Sequence, residues 1–116
     1  MKRTVVFDFD GVIHSYVSGF KRADIIPDEP VDGIKDAIAE IRRAGYEVAV
    51  VSSRAASEEG KAAIREYLER YGIRVDSITP VKLPAICYID DRAICFRGDP
   101  SSLLRQIRTF RPWNKR

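Results

Sequence analysis

Two carboxylates end an apolar run close to the start of the chain: Val5-Val6-Phe7-Asp8-Phe9-Asp10-Gly11-Val12. A stretch of Val and Phe bounded by glycine reads as a buried strand of a parallel sheet, where charge is normally excluded. Strand side chains alternate faces, so Asp8 and Asp10 project from the same side at the strand's C-terminal end, and Gly11 opens the turn that follows. Two unit charges about 4 Å apart repel by roughly 4 kcal/mol at an effective dielectric of ~20, a cost that a cation between them reverses. Two arrangements relieve the pair: a bound divalent metal, or one carboxyl held protonated as an acid. A third involves no chemistry and is an ordinary Asp-Gly turn with Asp8 solvated.

Similar groups close the other apolar runs. Tyr46 to Val51 leads into Ser52-Ser53-Arg54, and Ile86 to Ile89 leads into Asp90-Asp91. Lys82 lies between the third and fourth strands and reaches the same rim. Ligands of open α/β sheets bind outside the carboxyl ends of the strands, so these residues are expected to converge on one crevice. Four carboxylates, a hydroxyl and an ammonium suit a hard, oxygen-liganded cation and a phosphoryl group. The single histidine, His14, lies just after the first acidic pair and reads as structural or solvent-facing, since Asp10 already offers a proton-transfer group there. Arg54 is within reach of a substrate anion and Arg92 could neutralise Asp90 and Asp91. Tyr16 and Phe20 either wall a pocket or cover the core.

The elements that must position these groups alternate along the chain. Residues 11–30, rich in Gly, Pro, Asp and aromatics, form a long active-site loop with room for a short hairpin. Ile34, Ile38 and Ile41 then share a helical face, with Asp32 as its N-cap and Gly45 as its stop. After the Tyr46–Val51 strand, Ser57 caps a second helix whose apolar face is Ile64, Tyr67, Leu68 and Tyr71. Short strands follow at Asp76 to Thr79, Ile86 to Ile89 and Ala93 to Phe96, then a terminal helix from Ser101 to Phe110. This alternation implies a single α/β domain over residues 1–116, with a parallel sheet covered by helices on both faces.

With 116 residues and 45% apolar content, the chain fits one domain with one core. A net charge of +3 leans weakly towards an anionic partner. No stretch approaches the ~20 apolar residues of a membrane span, and Met1-Lys2-Arg3-Thr4 runs directly into a strand, so a cytoplasmic protein without membrane contact is expected. Cys87 and Cys95 sit in apolar surroundings and read as reduced, structural thiols. The basic tail over residues 111–116, with Trp113 and nearby Phe110, reads as a charged end to an amphipathic helix, although stacking and phosphate contacts would also suit nucleic acid.

DFDGV at Asp8 to Val12, the strand-closing Ser52, Lys82, and YIDDRA at Tyr88 to Ala93 resemble, in that order, the four motifs of the haloacid dehalogenase-like (HAD) phosphohydrolase superfamily. The resemblance implies a Rossmann-like, three-layer domain and an Mg2+-dependent phosphomonoester hydrolase. Asp8 would be the nucleophile that forms an aspartyl-phosphate, and Asp10 the general acid and then the general base. Ser52 would hydrogen-bond a phosphoryl oxygen, while Lys82 would hold the nucleophile and phosphate together. Gly11 and Ser53 would line the phosphate site beside Ser52, Arg54 and Lys82. Mg2+ would be held by Asp8, the main-chain carbonyl of Asp10, and Asp90 or Asp91. Neither the interval after the first motif nor that between the second and third has room for a cap domain. An open crevice suits a macromolecular or extended phosphoester, such as a nucleotide or nucleic-acid end; a small substrate would suit a homo-oligomer in which a neighbouring subunit shields the site. Transfer to an alcohol from the same Asp8 is the alternative chemistry. A phospho-acceptor module resembling a receiver domain is the alternative class, but there the adjacent acidic pair closes the first strand, the reverse of the order here.

Overall fold

Consecutive Val5, Val6 and Phe7 make β1 (Thr4–Asp8) a strand with both faces to bury, and the sheet is built around it. The computed structural model describes residues 3–115. Met1, Lys2 and Arg116, the last of the expected basic tail, lie outside the described residues. The elements continue as α1 (Ile34–Arg43), β2 (Glu47–Val51), a 3-10 turn (Ser53–Ala56), α2 (Glu58–Arg70), β3 (Ser77–Thr79), β4 (Cys87–Ile89) and, after a 3-10 turn at Pro100–Ser102, α3 (Leu103–Thr109). All strand pairs are parallel, in the order β3-β2-β1-β4. Val5 is level with Val48 of β2 and Cys87 of β4, and Val50 is level with Ile78 of β3. The expected α/β class, a Rossmann-like parallel sheet flanked by helices, is the one observed.

The steps from β1 to β2 and from β2 to β3 run the same way along the sheet, so right-handed crossovers lay α1 and α2 over one face. The core agrees: Ile38 of α1 and Ile64, Tyr67 and Leu68 of α2 pack with Val5, Phe7, Phe9, Val48 and Val50. Val6 and Ala49, which alternate with those strand residues, are buried on the other face. The chain returns from β3 to β4, across β2 and β1, through the irregular segment 80–86. Between β1 and α1 the described residues hold only loop and isolated bridges, and between β2 and β3 only the 3-10 turn and α2.

Several local expectations are corrected. Ala93 to Phe96 forms no strand among the described residues, so β4 is an edge strand, and all three of its residues are exposed. Asp32 does not cap α1; Gly33, at φ 82°, occupies that position without a side-chain hydrogen bond. Ser57 does cap α2, accepting from the Gly60 N–H. Gly60 is required there because a Cβ would lie 1.9 Å from the Arg54 carbonyl oxygen, on which the start of α2 rests. Cys87 and Cys95 are free thiols, as expected, but exposed instead of buried.

Candidate active site

β1 ends at Asp8 because the sheet ladder ends there: Phe9 turns back, and its carbonyl accepts hydrogen bonds from the N–H groups of Val12, Ile13 and His14. Gly11, at φ 87°, takes the left-handed conformation this reversal needs. A Cβ at Gly11 would sit 2.1 Å from Oδ2 of Asp91, so the missing side chain is also what lets the Asp91 carboxylate lie against the turn. Asp8, Asp90 and Asp91 thereby each bring one carboxylate oxygen to within 4.8 Å of the others. Asp90 also accepts a hydrogen bond from the Arg92 main-chain N–H at 2.8 Å, so it is the backbone of Arg92 that meets this carboxylate.

Electrostatics of the cluster favour a cation. Burial, a hydrogen bond with Asp91 and the charge of Asp90 push the Asp8 carboxyl up to about 8. Oδ1 of Asp91 is buried and has no hydrogen-bond partner among the described residues. An orphaned anionic oxygen beside two further carboxylates fits a hard divalent ion, which takes oxygen ligands and offsets their charge.

A cleft of about 540 Å³ opens from Asp8 down the sheet face that carries Val6. Ser52, Ser53, Lys82 and Asp90 line its polar end, and Val6, Val51, Tyr88 and Ala93 the rest. Ser52 is buried, and its Oγ accepts from the Arg54 N–H at 3.2 Å, capping the 3-10 turn. The Lys82 ammonium stands 5.5 Å from the centre of the Tyr88 ring, and the Tyr88 hydroxyl is hydrogen-bonded to the main chain of Leu83. The fourth strand thus supports the lysine loop as well as the acidic pair.

Asp10 and Arg54 stand apart from this cluster. The Asp10 carboxylate accepts from His14 Nδ1 at 2.8 Å on one oxygen and from Arg54 Nε at 2.8 Å on the other. Arg54, expected to face a substrate anion, is instead 2% exposed, and its Nη1 donates to the carbonyls of Arg22, Ala23 and Ile25. Phe20 lies over the guanidinium, 5.0 Å from Cζ to ring centre, and Tyr16 meets the His14 ring edge-on at 5.7 Å. Burial and the Asp10 charge hold the Tyr16 hydroxyl above its ordinary range.

Sequence reasoning missed two contributors. His14 read as structural, yet it touches Asp10 directly; its i, i+4 spacing within the turn was the available signal. Trp113 folds back over the first motif, and its Nε1–H donates to the Gly11 carbonyl at 2.6 Å, while Asn114 donates to the Ser15 carbonyl at 3.3 Å. No local pattern announces contacts between residues that far apart in the chain. No helix among the described residues is long and apolar enough to cross a membrane.

No family model matches the sequence, and none of the curated proteins does. Among solved structures, the chain is similar to a conserved protein from Bacteroides thetaiotaomicron, with 22% identity, a TM-score of 0.61, and coverage of 93% of this chain and 91% of that one. It is also similar to the D,D-heptose 1,7-bisphosphate phosphatase from Burkholderia thailandensis, with 25% identity, a TM-score of 0.44, and coverage of 67% of this chain and 52% of that one. The first likeness, which runs nearly end to end in both chains, identifies the fold as one shared with the Bacteroides protein.

Proposed function

We propose that the protein is an Mg2+-dependent phosphomonoester hydrolase that works through an aspartyl-phosphate on Asp8. The observation that carries this reading is the meeting of Asp8, Asp90 and Asp91 within 4.8 Å at the head of a cleft that also holds Ser52 and Lys82. The order of DFDGV, Ser52, Lys82 and the Asp90-Asp91 pair along the chain supports it.

Asp8, Asp90 and Asp91 would hold the metal, with the unpartnered Asp91 oxygen as one ligand. When bound, Mg2+ supplies positive charge that keeps Asp8 ionised and neutralises the phosphoryl oxygens. A carboxylate oxygen of Asp8 attacks phosphorus, the ester P–O bond breaks, and the departing alkoxide takes a proton from Asp10. Water then attacks the aspartyl-phosphate while Asp10, now a carboxylate, accepts its proton; inorganic phosphate leaves and Asp8 is restored. The Ser52 hydroxyl donates to a phosphoryl oxygen and the Lys82 ammonium offsets charge at the open side of the cleft. Openness towards solvent favours hydrolysis over transfer to a second alcohol, and accommodates an extended phosphoester such as a nucleotide or nucleic-acid end.

The test is phosphate release from an aryl phosphate at neutral pH, with Mg2+ and with chelator, for wild type and Asp8→Asn. Metal-dependent release that disappears in the variant is expected. A folded, Mg2+-supplied wild type that releases none from aryl, nucleotide, oligonucleotide-end and sugar phosphates would overturn the reading.

A further inference from the structure

A polar network centred on Asp10, two residues beyond Asp8 of the acidic cluster, links the turn after β1, the 3-10 turn after β2 and the loop over residues 22–28. We infer that His14 and Arg54 are positioning residues that aim the Asp10 carboxylate and couple it to the loop over residues 22–28; the inference rests on the hydrolase reading, in which Asp10 moves the protons.

A carboxylate held by one donor swings about its side-chain torsions, whereas one held on separate oxygens by donors from two elements has a fixed plane. His14 Nδ1 meets Oδ1 of Asp10 and Arg54 Nε meets Oδ2, each at 2.8 Å. One donor comes from the turn after β1 and the other from the 3-10 turn after β2.

Each donor is itself fixed. His14 Nε2 lies 3.1 Å from the Asp28 main-chain N–H, which can only donate, and farther, at 3.5 Å, from the Asp28 carboxylate; the shorter contact assigns the lone pair to Nε2 and the ring proton to Nδ1, directed at Asp10. The ring is fully buried, stacked on Phe9 at 5.7 Å and edged by Tyr67 at 5.6 Å. Arg54 is anchored by the three loop carbonyls that its Nη1 bonds, at 2.7, 3.0 and 3.1 Å. The loop that carries those acceptors and Asp28 is therefore built onto the two residues that hold Asp10.

Packing alone does not explain these residue types. A phenylalanine or leucine would fill the aromatic pocket around His14 without polar atoms to satisfy, and a guanidinium is expensive to bury. Among the described residues, Arg54 is paired to Asp10 alone, and its Nη2 is buried with no partner at all. Both costs make sense when the object held is the acid/base. Asp10 keeps 21% of its side chain exposed, so the clamp orients the carboxylate and leaves part of it open to water. A displacement of about 1 Å in such a group costs on the order of 100-fold in rate.

The experiment compares His14→Gln and His14→Asn on two esters, one with an activated aryl leaving group and one with an alkyl leaving group that must be protonated. Asparagine places its amide nitrogen where the imidazole has Nδ1 and keeps the donor to Asp10; glutamine places it near Nε2 and loses that donor. We expect His14→Gln to lower kcat/KM, which reads only the steps up to ester cleavage and not the later attack of water, by about 100-fold on the alkyl ester and by about 10-fold or less on the aryl ester, and His14→Asn to recover most of the alkyl-ester loss. Equal losses on both esters, or no recovery with asparagine, would overturn the positioning role while leaving the hydrolase reading intact. An inactive wild type would overturn both. In parallel, 15N NMR of the wild type, which needs no variant to fold, reads the clamp itself: a protonated Nδ1 with an unprotonated Nε2 is expected, its Nδ1–H resonance shifting in Asp10→Asn. The opposite tautomer would overturn the inference whatever the kinetics.

Discussion

Replacing Asp91 by asparagine should change the sign of its effect on stability according to whether metal is present. The carboxylate oxygens of Asp8, Asp90 and Asp91 lie within 4.8 Å of each other, and one such pair repels by about 3.5 kcal/mol at an effective dielectric of ~20. Asp90 is exposed, and a proton on Asp8 relieves part of the strain, so the gain from removing the Asp91 charge is on the order of 1 kcal/mol. In chelator the variant should therefore melt roughly 4 °C above wild type. With Mg2+ at about 100-fold excess over Kd, wild type gains ~2.7 kcal/mol, equivalent to roughly 10 °C, by mass action. The variant, with a neutral amide in place of the Asp91 carboxylate, should gain little, so the order of melting temperatures reverses. Thermal unfolding followed by circular dichroism, with a Mg2+ titration and a chelator arm, measures both halves. The reasoning is refuted if Asp91→Asn is stabilised by Mg2+ as much as wild type, or melts below wild type in chelator.

The raised Asp8 carboxyl carries a pH signature. Its folded value of about 8 lies above the 3.8 of an unperturbed aspartate, so folding binds the proton. The stability it contributes is complete below about pH 4 and is lost as pH rises through about 8; melts in chelator should fall across that window, and Mg2+ should flatten the fall. Gly60→Ala should destabilise despite alanine's advantage of ~1 kcal/mol in a helix, because the new Cβ would meet the Arg54 carbonyl oxygen at 1.9 Å; a lowered urea midpoint checks it. Tyr67→Phe removes the hydroxyl that donates to the Asp28 carbonyl at 2.9 Å and should cost about 1 kcal/mol with an unchanged m-value.

The legible parts of the molecule were those written in local pattern. The apolar Val-Val-Phe run of β1, the isoleucine face of α1 and the Ser57 cap each specify an element through neighbours a few residues away, and each lies where the pattern put it. Strand ends were legible for the same reason, and with them the meeting of Asp8 with Asp90 and Asp91. The clamp on Asp10 was not, because Arg54 reaches it across 44 residues of sequence and nothing in SSRAAS distinguishes a buried guanidinium from an exposed one. Trp113 spans 102 residues to reach Gly11, and its aromatic, basic surroundings read as a charged tail. Ala93 to Phe96 has the apolar composition of a strand, but composition does not supply a pairing partner, and β4 remains the edge. The exposure of Cys87 follows from the same missing neighbour.

The central claim is that Asp8 becomes phosphorylated during turnover. Rapid acid quench of wild type reacting with an aryl phosphate and Mg2+, followed by peptide mass spectrometry, tests it directly. One phosphoryl group on the peptide carrying Asp8, absent in chelator and from Asp8→Asn, is the predicted result. Turnover with no phosphoryl group on that peptide, or with the group on another residue, would contradict the account.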